Sequence, residues 1–277
     1  MNTPFARHDP ALGAVVSRWK AGWTQRIALG VVVWIFAGIV VLIGAGTENV
    51  RVVVLGIALG CGMVGLIEYF QSGVEVILYA NGIERRGRTG KKRISWSALS
   101  SYRLNMFDPM VVAGATGGVL GVLIARAWVR ARGNKPLVPR AVIIRDTQGV
   151  EVIVPDGLAG YAELIGSLVP SLTERLFPAA KRAFDSNEPV SFGDALVIQR
   201  NVGVTVKGLF GKKTTLPMAD FSGATVDRAR LLIHRKGKPG WHALAVPDVH
   251  NPGVLERLVV GTPGEPIDRD GLPMAWT

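Results

Sequence analysis

Between Ile27 and Phe70 the chain is almost continuously apolar, and this stretch limits every fold the rest can adopt. It divides at Thr47-Glu48-Asn49 into two halves of about 20 residues, each the length that crosses a hydrocarbon core roughly 30 Å thick as a helix. Three intervening residues leave room only for a tight return, so the stretch reads as a transmembrane helical hairpin. Arg51 is the cation nearest the turn. Arg7, Arg18, Lys20 and Arg26 precede the first half, and Arg85, Arg86, Arg88, Lys91, Lys92 and Arg93 follow the second. Cations gather on the cytoplasmic side of a span, and indoles such as Trp19 and Trp23 suit the headgroup depth. The expectation is a multi-pass protein of the inner (plasma) membrane, both ends of the hairpin cytoplasmic. The first apolar run is too long for a cleavable leader, and Ile43-Gly44-Ala45 is a poor cleavage site; the span is expected to be retained.

Small residues are placed for close helix contact. Gly30, Ala37 and Gly44 recur every seven residues in the first half, and Gly56 and Gly60 make a GxxxG in the second. Stripes of this kind let backbones approach, and they are read as packing the two spans together in preference to pairing two chains. A homo-oligomer is the secondary expectation.

The chain of 277 residues is 48% apolar with a mean hydropathy of +0.29, the excess lying in the hairpin and in Met110–Val129. Lys and Arg number 32 against 21 acidic residues, a formal charge of +11. Anionic lipid headgroups at a membrane surface explain such a balance. Nucleic acid is not expected, because aromatic side chains are not interleaved with the basic clusters as stacking platforms. The single cysteine, Cys61, allows no internal disulfide or thiolate cluster and reads as a small apolar filler.

After Gln71 the pattern alternates. Val74–Tyr79 reads as a strand, Asn81-Gly82 as a type I′ hairpin turn, and Ile83–Arg86 as the return. The basic turn through Gly90 leads to Arg93–Trp96, with Trp96 a core residue, and Leu99–Leu104 continues the sheet. Ala141–Arg145 and Val150–Val154 form another hairpin, and a helix runs from Asp156-Gly157 to about Val169. The order then repeats. Ala195–Arg200, Gly203, Val204–Lys207, Gly211-Lys212-Lys213 and Leu216–Phe221 parallel the first series; Leu231–Arg235 and Trp241–Pro247 follow. Asn251 and Pro252 supply favoured N-cap and first-turn residues for a helix to about Val260. Between the repeats, Ser171–Asn187 reads as a separate linking helix.

Leu78-Tyr79-Ala80-Asn81-Gly82-Ile83 followed by Ile94-Ser95-Trp96-Ser97-Ala98-Leu99 resembles the signature of bacterial membrane-tethered PH-like domains. The helix and then Val190-Ser191-Phe192-Gly193 opening a second such unit is similar to an uncharacterised bacterial family, DUF6585, with the resemblance running from Gly73 to Val260. The second unit departs from the signature at Met218, where a Trp is expected. The resemblance implies a fold and a membrane setting, and it brings no catalytic residues.

The fold class expected is therefore a membrane-anchored α+β chain: an N-terminal two-helix transmembrane hairpin, then two PH-like open β-barrels, each closed by a C-terminal helix. The divisions are a cytoplasmic arm 1–26, the hairpin 27–70, a first PH-like domain 71–170 with an apolar insertion 109–132, a linking helix 171–187, a second PH-like domain 188–261 and a tail 262–277. The insertion is left as a re-entrant segment, an interfacial helix or a third span.

No reaction is legible. Gly114–Gly121 lacks the GK[ST] ending of a phosphate loop, and no G-x-S-x-G or H-E-x-x-H occurs. His234 and His242 fall on paired strands, yet no carboxylate or cysteine stands at ligand spacing. Neither cofactor nor metal is expected, and the chain is read as a non-enzyme. The binding residues proposed from sequence are the basic turns: Arg85, Arg86, Arg88, Lys91, Lys92 and Arg93, with Lys212 and Lys213 in the second unit. Their partners are anionic lipid headgroups or a protein. The helix-packing residues are Gly30, Ala37, Gly44, Gly56 and Gly60. The function expected is presentation of tandem PH-like domains at the cytoplasmic membrane surface; the alternative is a subunit of an oligomeric membrane transport or envelope-stress assembly.

Overall fold

The computed structural model describes residues 11–47, 49–71, 73–88, 90–106, 139–208, 211–227 and 230–260, with the backbone alone at 23–29, 31, 32, 36, 67, 68, 70, 71, 226, 227, 239 and 260. The apolar insertion 109–132 and the tail 262–277 lie outside the described residues, as does His8. Among the described residues the chain is α+β, with four antiparallel sheets and four helices. It divides into two units, one of residues 1–98 and 150–161, the other of residues 99–149 and 162–277.

The first unit begins with β1 (Val15–Lys20), followed by α1 (Trp23–Gly46) and α2 (Val50–Gln71). The two helices run antiparallel, as the approach of Gly44 to Val53 and of Ala37 to Gly60 requires. Among the described residues no helix is long and apolar enough to cross a membrane. The charge-free run of α2, from Val52 to Ile67, rises about 24 Å at 1.5 Å per residue, short of the roughly 30 Å of a bilayer core. The membrane-anchored fold class, its transmembrane hairpin and the multi-pass inner-membrane placement expected from hydropathy are corrected on this finding.

The arm before α1 is also corrected. Val15–Lys20 is a strand, paired antiparallel with β2 (Glu75–Tyr79). β3 (Gly82–Gly87) and β4 (Gly90–Ser95) complete a sheet of order β1-β2-β3-β4. The link from β2 to β3 is not the expected type I′ turn. Tyr79 pairs with Gly82 across a loop of Ala80-Asn81, and neither Asn81 nor Gly82 has a positive φ. Gly82 is needed for proximity: a Cβ there would lie 2.5 Å from both Ile94 O and Leu12 Cδ2. Trp96 is likewise no core residue. It is half-buried in a 3-10 turn, Trp96–Ala98, where its N–H donates to Asn81 O. The buried side of this unit includes Val76, Ile83 and Ile94, with Val152 and Val154 from β7 (Glu151–Pro155).

In the second unit β5 (Leu99–Asn105) pairs with β6 (Ala141–Asp146). The two helices expected over 156–169 and 171–187 are one helix, α3 (Tyr161–Asp185), which carries Pro170 and Pro178 inside it. A second four-stranded sheet follows in the order β11-β10-β9-β8: β8 (Val190–Ser191), β9 (Leu196–Gln199), β10 (Gly203–Lys207) and β11 (Lys213–Leu216). β12 (Phe221–Asp227), β13 (Arg230–Arg235) and β14 (Lys238–Ala245) form a three-stranded meander, and α4 (Pro252–Val260) ends the described chain. The strands thus fall into separate sheets and not the two continuous open barrels expected. Phe192, Leu196, Val204, Val206, Leu216 and Ile233 are the interior of this unit, with Leu255 and Leu258 of α4 against them and Met218 packed at the margin.

Tyr102 ties three elements of this unit together. Gly253 N–H donates to its hydroxyl at 3.0 Å, the hydroxyl meets Thr173 Oγ1 at 2.7 Å, and Thr173 donates to Val169 O at 3.0 Å. Asn251 seals the same strand: its N–H donates to Tyr102 O at 2.7 Å, and its Oδ1 accepts from Tyr102 N–H at 2.8 Å. The side chain expected to cap α4 is therefore spent on β5, and Asn251 sits at φ 51° to reach it.

Gly203 provides the sharpest steric test of this architecture. Its φ is +128°, and a Cβ would stand 2.0 Å from Leu216 O. Gly203→Ala is expected to cost at least about 2 kcal/mol through combined strain and forced separation of β10 from β11. Gly62→Ala, where a Cβ meets nothing within 4 Å, is expected to leave the urea midpoint of the same chain unchanged or raised.

Candidate functional site

The cations predicted to bind are on β3 and β4, and strand register sorts them by face. Directly opposed residues share a side of the sheet. Glu84 pairs with Arg93, Arg86 with Lys91 and Arg85 with Lys92; on the other edge of β2, Arg18 is opposite Ile77 and Lys20 opposite Glu75. Since Ile77 pairs with Glu84 and Glu75 with Arg86, one face collects Arg18, Lys20, Arg86, Lys91 and Arg93 around Glu75 and Glu84. Arg85 and Lys92 are on the reverse.

Glu84 is the anchor of the basic face. It is 1% exposed and pairs with the guanidinium of Arg86, while Arg93 Nε stands 3.5 Å from its other oxygen. The hydrogen bond to Glu84 holds the Arg86 guanidinium above its ordinary pKa. One carboxylate thereby fixes two cations that would otherwise splay into solvent. Lys91 and Lys92 remain exposed, directly opposite like charges, an arrangement that costs a few tenths to 1 kcal/mol per pair. Arg85 is half-buried, and its Nε is buried without a hydrogen-bond partner. Arg88 departs from the cluster and stacks on Tyr69, 4.6 Å from the ring centre.

Lys212 and Lys213 belong to the other unit. Lys213 is opposite Lys207 at the open end of the β10–β11 pair, which repeats the like-charge pairing of the first hairpin. Arg18 and Lys20 escaped the sequence reading because their segment was assigned to an arm; the alternation of exposed and half-buried positions in β1 is the signal that finds them.

Of the helix-packing residues, Ala37, Gly44, Gly56 and Gly60 are in the seam between α1 and α2. A Cβ on Gly44 would be 2.8 Å from Val53 N, and one on Gly60 2.8 Å from Ala37 Cβ. Gly30 meets nothing within 4 Å; it lies off the seam.

A second, polar cleft of about 410 Å³ lies within the second unit, lined by Ser100, Arg145, Thr147, Ser191, Asp194 and His250 among others. Two of its hydroxyls are committed to the backbone: Ser100 donates to Arg145 O and Asp146 O at 3.0 and 2.8 Å, and Ser191 to Gly193 O at 2.8 Å. Neither is set against a base as a nucleophile requires. Sequence spacing gives no sign of this cleft, because its residues come from three distant segments.

The histidines expected on paired strands do not converge. His242 is opposite Ile233, which puts it on the other face from His234. Among the described residues no group of three or more His, Cys, Asp or Glu could hold a metal ion. His234 is structural: Gly240 N–H donates to its Nδ1 at 2.9 Å, so Nε2 carries the proton toward Thr225 Oγ1 at 2.7 Å.

Two outcomes follow for stability. Glu84→Gln leaves two guanidiniums without their shared carboxylate and is expected to cost about 2 kcal/mol in urea unfolding, below the 3–5 kcal/mol of a fully buried pair because Arg93 is half exposed. Desolvation lowers the pKa of His234, so the unfolded chain binds the proton more tightly. The His234 contribution is complete above about pH 6.5, the unfolded value. It is lost as pH falls through the lower folded value, so the wild type should lose more stability than His234→Gln between pH 7.5 and 5, read as paired urea midpoints.

No curated protein and no solved structure matches the chain. A family model does match, over residues 123–262. It covers β6 through α4 and most of the polar cleft. The β3–β4 hairpin lies outside it, so the match is shorter than the Gly73–Val260 span over which sequence resemblance was expected. With half of its length so matched, the chain belongs to a family of unknown function, DUF6585.

Proposed function

We propose that this chain is a non-catalytic binding protein built from two repeats of a sheet–sheet–helix module, and that its β3–β4 face binds phosphate-bearing anions. Supporting the modular reading, a four-stranded antiparallel sheet, a smaller antiparallel sheet and a helix occur twice in the same order. In each four-stranded sheet a glycine opens the strand after the first turn and lies against a carbonyl of the next strand: Gly82 against Ile94 O, Gly203 against Leu216 O. The observation that carries the binding reading is the surplus of positive charge on one sheet face, with Arg86 directly opposite Lys91 and Arg18 and Lys20 alongside. Such a face is held together against its own repulsion, and an anion relieves that repulsion. Phosphate oxygens accept from both guanidinium forks and ammonium donors.

The phosphate could come from a lipid headgroup or from a soluble compound, and two arms distinguish them. The full chain is titrated with inorganic pyrophosphate by calorimetry and sedimented with vesicles containing anionic phospholipid. Lys20→Gln/Lys91→Gln is the test variant, because both side chains are exposed on this face and neither holds Glu84. Binding is expected in at least one arm, weakened about tenfold by the double substitution and by raised salt. Absence of binding in both arms, or affinity indifferent to the substitution, overturns the proposal.

A further inference from the structure

The polar cleft of the second unit has two walls fixed to one base. The first wall is the β5–β6 pair. Ser101 is opposite Arg145, and the register slips between Leu99 and Ser101, so Ser100 is an extra residue in β5. Strand alternation turns Tyr102 and Ile144 into the interior and leaves Ser101 and Arg145 on the cleft side, where the bulge re-aims them. The turn after β6 closes on itself, with Gln148 N–H donating to Asp146 Oδ1 at 2.9 Å and Gly149 N–H to Asp146 O at 3.2 Å. The second wall is the turn after β8. Gly193, at φ +86°, approaches so closely that a Cβ would be 2.8 Å from Asp248 O and 3.2 Å from His250 Cδ2. The base is His250-Asn251. His250 N–H donates to Phe192 O at 3.1 Å, and Asn251 N–H to Tyr102 O at 2.7 Å. One dipeptide thus ties both walls, so their spacing is set before a ligand enters.

Charge distinguishes this cleft from the β3–β4 face. Arg145 lines one wall and Asp194 the other, both exposed. Among the described residues neither side chain has an ion-pair partner, and the two do not pair with each other. The hydroxyls of Ser101 and Thr147, which line the wall beside Arg145, have no hydrogen-bond partner among the described residues either. Of the other titratable groups in the lining, Asp146 is 9% exposed and bonded within its own turn, and His250 is half-buried at the base. One free cation facing one free carboxylate leaves no surplus for a phosphate, which Asp194 would repel, or for a metal ion, which Arg145 would repel. A ligand that carries both charges satisfies both walls.

We propose that this cleft binds a small polar zwitterion of the amino-acid class, its carboxylate on Arg145 and its ammonium on Asp194. The cleft, about 410 Å³, is within the size range of small-molecule sites. A guanidinium–carboxylate contact at one end and an ammonium–carboxylate contact at the other are charge-assisted hydrogen bonds, the stronger kind. The inference is independent of the anion-binding face, which belongs to the other unit.

The full chain is titrated by calorimetry with L-serine in one arm and glycylglycine in the other, which separates a free amino acid from the two ends of a short peptide. Saturable binding is expected in at least one arm, and either supports the proposal. Arg145→Gln and Asp194→Asn should each weaken that binding at least tenfold and leave the urea midpoint unchanged, since both side chains are exposed and without an ion pair. The charges of the probe supply a second readout. Its N-acetylated form lacks the ammonium, and should bind more weakly and be indifferent to Asp194→Asn. Its carboxamide lacks the carboxylate, and should be indifferent to Arg145→Gln. Absence of saturable binding in both arms overturns the proposal, as does affinity that either substitution leaves unchanged. Undiminished binding of the N-acetylated form overturns it equally, because the cleft would then be a plain anion site.

Discussion

A buried hydroxyl in an apolar interior costs several kcal/mol when it has no partner, and Tyr102 is 1% exposed. Its solution is a relay in which each group both gives and receives: Gly253 N–H to Tyr102 Oη, Tyr102 to Thr173, Thr173 to Val169 O. Because the links run from α4 through β5 to α3, satisfying one side chain fixes the separation of three elements. Chains of this kind reinforce one another in a low-dielectric setting. Burial raises the tyrosine pKa, which keeps the proton on the oxygen that must donate it. The relay also dictates a residue: a Cβ on Gly253 would be 2.5 Å from Thr173 Oγ1 and 2.8 Å from Tyr102 Oη. Asn251 then completes the lock by imitating a neighbouring strand with its backbone and side chain together. Tyr161 provides the contrast, since its buried hydroxyl has no hydrogen-bond partner.

The charged sheet follows a different rule. Its order depends on Glu84, a single carboxylate withdrawn from water, and a withdrawn carboxylate is stable only when its cations are brought with it. Arg86 and Arg93 meet that demand, but the alternation of strand positions then brings Lys91 opposite Arg86 and Lys92 opposite Arg85. The basic surface is thus partly a consequence of the buried ion pair, and what remains on this face is a surplus of positive charge.

Much of the strand order was readable because alternation and turn residues are local signals. β2, β3, β6, β10 and β13 fall where the pattern places them, and so does α4. What was not readable depends on contacts between distant segments. β1 is short and precedes a long apolar helix, so its alternation was lost beside the stronger signal. Asn251 has the chemistry of a cap, and only the unpaired edge of β5 explains why its side chain turns away. The sequence reads as two helices, from Asp156-Gly157 to about Val169 and from Ser171 to Asn187, whereas α3 runs unbroken over Tyr161–Asp185 with Pro170 and Pro178 inside it. The basic residues could be named individually, but their division between two faces depends on register, and register on where β1 and β2 meet. The apolar stretch misled in its own way: hydropathy measures the tendency to leave water, and it does not say what receives the surface.

The repeated glycines connect these levels. Gly82 and Gly203 occupy equivalent places in their sheets, yet their backbones differ, one without a positive φ and the other at +128°. Conformational freedom therefore cannot be the shared reason for glycine. The shared reason is the approach of the next strand, whose carbonyl at Ile94 or Leu216 occupies the space of a side chain. Both of those residues are almost fully buried, so withdrawing either strand to admit a Cβ would open the interior behind it. The close approach and the buried apolar residue impose each other, and the same constraint recurs in two sequences that share little else at those positions.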